Sequence, residues 1–217
     1  MYEGVLHAQR AVLAHMVVGA WWPDCHRAAE REILVALQGL GVVVGGVGID
    51  ELVAADVGAV FFPHGLGHLI GCDTHDVGGY LPGTPERLAA PGVRKLRTAR
   101  YLEAGMVLTN EPGCYFVDAL LDAALRDPAQ SKYLDAAVIN GRFRGFGGVR
   151  LEDVVVVRPD GPPTNLTTCP RTVKEVEAVR AGASWPPAVD EAPWLHRRWG
   201  KLAADGSRME HLVLPVV

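Results

Sequence analysis

Helical spacing governs the first part of this chain and is absent from the middle onward, and that switch constrains the fold more than any other feature. Over 2–18, apolar residues at Val5, Ala8, Val12, Leu13 and Met16 recur at helical steps until Trp22-Pro23-Asp24 breaks the pattern. Asp24 is placed to cap a second helix over 25–40, where Ala28, Ile33, Leu34 and Leu37 form a stripe opposite Arg27, Glu30, Glu32 and Gln38. Gly39 and Gly41 end it, and a short third helix is expected from Asp50 toward Ala59. From Val60 the sequence turns to short apolar or alternating runs punctuated by glycine and proline: 60–62, 69–70, 106–109, 114–117 and 149–157. These read as strands. Charged residues and Pro128 make 118–132 a surface excursion, with helical character over 120–125. Thr172, with Glu175 three residues on, starts a last helix that reaches Ala181. Helices first and strands after predict an α+β fold rather than a regular βαβ alternation.

A chain of 217 residues with 49% hydrophobic and 21% charged residues can bury one main core and is not disordered, collagenous or coiled-coil. With 21 basic and 25 acidic residues, a net charge of −4 and a pI near 6.0, it lacks a basic footprint, so neither nucleic acid nor an anionic membrane is expected as a partner. Cys25, Cys72, Cys114 and Cys169 form no CxxC pair, which fits the reducing cytosol. The longest uncharged run, 11–23, falls short of the roughly 18 residues of a membrane span, and no leader is visible, so a cytoplasmic location is expected. From Ser184 the chain carries Trp185-Pro-Pro, Pro193-Trp194, Trp199 and Leu212-Val-Leu-Pro215 with neither helical nor strand period. Two regions are therefore expected, 1–183 and an irregular, poorly packed tail over 184–217.

Chemistry concentrates in Pro63-His-Gly-Leu-Gly-His68 and Asp73-Thr-His-Asp76. Two histidines four apart suggest the helical zinc motif, but Gly65 and Gly67 oppose a helix and the glutamate of that motif is missing. In an extended backbone the even separation puts His64 and His68 on one face, with His75 arriving from the next turn. Simple hydrogen bonding of the loop by these histidines is the competing explanation. Glu111 follows a strand and precedes Pro112, and Glu152 interrupts an apolar run. A carboxylate there is costly unless it is paired or holds a cation, so an Arg150–Glu152 ion pair on an edge strand and metal ligation both remain open. One histidine with two glutamates suits Mn²⁺ or Zn²⁺. Gly46-Val-Gly48 and Gly145-Phe-Gly-Gly148 lack the remaining residues of nucleotide-binding loops and read as turns.

Taken in order, His64-Gly-Leu-Gly-His68, His75-Asp-Val-Gly-Gly-Tyr80, Arg97-Thr-Ala-Arg100, Glu111-Pro-Gly113 and Gly147-Gly-Val-Arg150-Leu-Glu152 closely resemble the pita-bread metallopeptidases, and within them the prolidase branch. The likeness runs over about 2–181. It implies a pita-bread α+β fold, with 1–183 as the later part of the catalytic domain, and hydrolysis of Xaa-Pro dipeptides in a homodimer. It further implies His68, Glu111 and Glu152 as metal ligands, Glu152 bridging two Mn²⁺ ions, and His64 and His75 as the cleft histidines that stabilise the tetrahedral intermediate. Arg97 would hold the substrate carboxylate, Arg150 would support the site, and Glu111 would shuttle a proton. The family's pair of aspartate ligands, which lies upstream of the first helix seen here, has no counterpart in this sequence. At most one well-held cation and weak or no activity are expected of this chain alone; the alternative expectation is a non-catalytic remnant that binds a cation or a proline-bearing ligand. A sheet left short of strands is expected to expose an apolar edge and to favour dimerisation.

Overall fold

The structure, a computed structural model, describes residues 1–203 and 209–216. Helix α1 (Tyr2–His15) buries Val5, Ala8, Val12 and Leu13 against α2 (Trp22–Gly39), which presents Cys25, Ala29, Ile33, Leu34 and Leu37. Helix α2 starts earlier than Asp24 allows a cap: Trp21 is its N-cap, Pro23 stands in the first turn, where its missing N–H costs nothing, and Asp24 faces the positive end of the helix dipole. Helix α3 (Ile49–Ala54) and the single turn α4 (Gly58–Phe61) complete the helical layer. The strand expected over 60–62 is thus a helical turn. Three consecutive buried apolar residues carry no period, and burial on every side suits either state.

Strands β1 (Val107–Asn110) and β2 (Gly113–Phe116) are followed by helices α5 (Asp118–Arg126), α6 (Pro128–Ser131) and α7 (Ala136–Val138) in the surface excursion, with a π turn over Ile139–Phe143. Then come β3 (Gly147–Arg150), β4 (Asp153–Val156), β5 (Thr164–Asn165), α8 (Val173–Arg180) and a terminal pair, β6 (Gly200–Leu202) and β7 (Met209–His211). Helix α8 carries the full Thr172–Glu175 capping box. β1, β4 and β5 form one antiparallel sheet, while β2 and β3 form another.

The run 149–157, expected as one strand, is therefore two strands in two sheets. Both ladders nevertheless keep one register: Asn110 faces Asp153 and Gly113 faces Arg150. The residues between them, Glu111-Pro112 and Leu151-Glu152, consequently stand across from one another, Glu111 opposite Glu152. Pro112 has no N–H to offer a ladder, although its carbonyl still accepts from Leu151 N at 3.2 Å. The break in pairing falls where the two carboxylates meet.

The expectation of a poorly packed tail is corrected for its described part. Ala192, Leu195 and Trp199 are buried, Trp185 packs edge-on against Trp199, and Arg10 lies over the Trp194 ring. Arg197, 9% exposed, pairs with Asp190 at 2.6 Å and Glu175 at 2.7 Å. Those ion pairs do the work that the missing apolar period could not announce. Residues 204–208 and 217 of that tail lie outside the described residues. Among the described residues, no helix is long and apolar enough to cross a membrane.

Candidate metal centre

The segment Leu66–Ile70 runs antiparallel beside β1, held by Glu111 N donating to Leu66 O at 2.9 Å, Thr109 N to His68 O at 2.9 Å and Ile70 N to Val107 O at 3.1 Å. A Cβ at Gly67 would stand 1.9 Å from the Thr109 carbonyl oxygen, so only glycine permits this approach. Only Leu69 forms a bridge there, and the strand expected over 69–70 is this short augmentation of β1. It brings His68 over Glu111 from an irregular backbone, not from a regular strand face.

One ligand atom from each of His68, Glu111 and Glu152 lies within 4.8 Å of the others. Donors around a single divalent ion at ~2.1 Å sit about 3–4 Å apart, so small side-chain rotations close the set. His68 Nδ1 faces the Leu69 carbonyl at 2.9 Å and therefore carries the proton, which leaves the lone pair on Nε2, 3.3 Å from Glu111 Oε1, free to offer to a cation. Burial, and then the facing Glu152, push the Glu111 carboxyl above its usual range; a Thr109 hydroxyl donating to Oε1 at 3.0 Å and Arg150 bonding Oε2 at 2.9 Å oppose this. A buried imidazole nitrogen and two mutually repelling carboxylates fit a hard divalent cation. Among the described residues, these three are the one such group, enough for one cation and too few to complete two.

A cleft of about 430 Å³ is lined by His64, His68, His75, Arg97, Glu111 and Arg150, together with Lys95. Every residue singled out from the sequence thus lies in or beside one cleft. The proposed edge-strand pair between Arg150 and Glu152 is not what Arg150 makes: it bonds Glu111 and, at 2.6 Å, the Tyr115 hydroxyl. His64 and His68 do bond loop backbone, as the competing explanation held for the histidines, whereas His75 shows no such bond among the described residues; all three line the cleft. His64 gives Nδ1–H to the Gly65 carbonyl at 2.8 Å, its Nε2 is buried without a partner, and burial pushes its pKa down to about 4. It is a neutral imidazole with a lone pair to offer. His75 packs edge-on over His68, with ring centres 4.4 Å apart, and its pKa is lowered by desolvation and by Arg97.

Thr109 and Tyr115 were missed in the sequence. Both share Glu111's parity along 109–115, and that period-two signal was there to find them. Arg171 was also missed: it donates to the Glu152 carbonyl at 2.8 Å and pairs with buried Asp153. No local pattern announces it.

The profile of metallopeptidase family M24 matches residues 1–159. Over 183 residues, 84% of this chain, the sequence is 56% identical to the Xaa-Pro dipeptidase of Homo sapiens, of which it covers 36%, and 54% identical to that of Rattus norvegicus. It is 40% identical to a probable Xaa-Pro aminopeptidase of Pyricularia oryzae over 82% of this chain and 37% of that protein. Aminopeptidase PepP of Pseudomonas aeruginosa superposes with a TM-score of 0.62 at 35% identity, covering 83% of this chain and 34% of that one. A zinc-substituted Escherichia coli aminopeptidase P in complex with product superposes with a TM-score of 0.57 at 30% identity, covering 84% and 34%. The chain spans about a third of the length of these relatives.

Proposed function

The chain belongs to metallopeptidase family M24 and has its pita-bread fold, and from that premise we propose that it carries one cation position of an Xaa-Pro dipeptidase site, with little turnover of its own. His68, Glu111 and Glu152 hold the ion, Mn²⁺ in this reading, and Arg97 receives the carboxylate of a C-terminal proline. The observation that carries the proposal is the convergence of one imidazole and two carboxylates from three separate segments. Arg97, which has no ion pair among the described residues, opens into the same cleft.

A divalent cation bound there supplies Lewis-acid polarisation of a carbonyl and acidification of water. The side chains do the rest. The planar fork of Arg97 can bond both oxygens of a carboxylate and so fix the dipeptide's end. Glu111, held above its usual pKa by burial and by Glu152, suits the taking and returning of a proton. His75, exposed at the rim, is placed to donate a hydrogen bond to a developing oxyanion. The tautomer of His64 argues for a different part from that implied by the resemblance: with Nδ1–H spent on Gly65, its Nε2 accepts from a substrate N–H. Arg150 and Tyr115 fix the orientation of Glu111.

Binding without hydrolysis is the second reading, favoured by the three-residue ligand set, because a two-metal clamp needs more donors than the described residues provide. Gly-Pro hydrolysis by the Mn²⁺-loaded 217-residue chain decides between them. Slow but measurable release of proline that disappears in Arg97→Ala supports the weak peptidase. Saturable Gly-Pro binding with no release supports the second reading, and rapid turnover with two Mn²⁺ per chain contradicts the low-activity expectation. We also propose a cytoplasmic homodimer, which a monomeric mass by light scattering would contradict.

A further inference from the structure

The end of the chain holds a second polar cavity that shares no residue with the metal cleft. Of about 400 Å³, it is lined by Arg158, Thr164, His196, Arg197, Arg198 and His211. Among the described residues, no carboxylate is in that lining. Arg197 is already committed, bonding Glu175 through both terminal nitrogens and Asp190 through one of them. Arg158 and Arg198 are different: among the described residues neither has an ion pair or a side-chain hydrogen bond, and both are exposed.

These groups sit on backbone that is tied together. Asn165 N donates to His196 O at 2.9 Å and Arg198 N to Asn165 O at 2.7 Å, locking β5 to the 196–198 segment. The pairing of Gly200 with His211 and the Leu212 N bond to Trp199 O at 3.1 Å bring His211 in from the terminal hairpin. His196 takes a left-handed conformation, φ 51°, unusual for a residue with a Cβ, and the bond from Asn165 holds it there. Burial lowers the His196 pKa, leaving a neutral ring able to donate or accept one hydrogen bond. Uncompensated guanidinium groups converging on a preformed concavity attract an anion, and two forks, a hydroxyl and imidazoles match the three acceptor oxygens and double charge of a phosphoryl group better than a single carboxylate. The volume lies in the range of small-molecule sites and exceeds a bare phosphate.

We propose that this cavity is a binding site for a small phosphomonoester, independent of the metal centre. Calorimetric titration of the 217-residue chain with glycerol phosphate tests it, with inorganic phosphate and citrate as comparison probes. The expected result is saturable one-site binding that weakens as salt is raised. Arg158→Ala and Arg198→Ala should each reduce affinity about tenfold or more. Arg198→Lys should recover part of the loss, and Arg97→Ala should leave affinity unchanged. Both arginines are exposed, so the variants should keep the parent's melting temperature. Absence of saturable binding overturns the proposal, as does binding lost in Arg97→Ala but kept in Arg198→Ala. Tighter binding of citrate than of glycerol phosphate overturns the phosphate assignment.

Discussion

Thr109 ties His68 and Glu111, the buried half of the candidate metal centre, to each other. Its hydroxyl donates to Glu111 Oε1 and accepts from the His68 backbone N–H, each at 3.0 Å. Thr109→Val removes both bonds in a buried site, which should cost about 1–3 kcal/mol of stability. It should also lower Mn²⁺ affinity by about 10–100-fold, with Thr109→Ser restoring most of it. Denaturant titration and metal-binding calorimetry on the two variants check this; a Val variant that binds Mn²⁺ as the parent does would contradict it. At this scale the sequence was informative wherever a polar side chain stood out from an apolar or glycine-rich run, as His64, His68, Glu111 and Glu152 do. It was silent on Arg171, whose partner Asp153 lies 18 residues away and is brought near only by the fold.

Elements were legible where a period could accumulate. Helices α1 and α2 each run long enough for the apolar stripe to repeat, whereas a run of three apolar residues such as 60–62 holds no phase information and became a helical turn. The ladder between 107–116 and 147–156 is the element that builds the site, and its interruption was invisible because 149–157, with Arg150, Glu152 and Asp153 among its valines and leucine, carries no glycine or proline to mark where one strand ends and the next begins. The glycines beside β1 are as decisive as the strands. Gly67→Ala should force the Leu66–Ile70 segment off β1, because the new methyl meets backbone that cannot rotate away. The expected outcome is loss of about 2 kcal/mol or more together with loss of Mn²⁺ binding. Unchanged melting and metal affinity in that variant would mean that this close approach does not hold in solution.

The whole molecule is one core with charged interior struts, and these give it distinct responses. Arg197 sits 1% exposed at its side chain between Glu175 and Asp190, so Arg197→Ala removes the ion-pair partner of two largely buried acids, each left with neutral donors only, and should cost about 3 kcal/mol, read as a drop in denaturant midpoint. Acid should act through His26, which is buried against Phe62 and pushed by burial down to about 3. The unfolded chain takes up that proton below about pH 6.5 while the folded chain does not. Stability should therefore fall as pH drops from about 6.5, by about 1.4 kcal/mol per unit for this group, with His64 adding to the slope above its value of about 4. Urea midpoints at pH 7 and pH 5 test the sign, and His26→Gln should flatten the dependence; an acid-insensitive midpoint in the parent would contradict it. The most direct test of the account is a Mn²⁺ titration of the 217-residue chain followed by calorimetry, repeated on Glu152→Gln and His68→Ala. One saturable Mn²⁺ per chain, lost in each variant while the fold is retained, is the predicted result. No saturable uptake, or uptake indifferent to both substitutions, would contradict it.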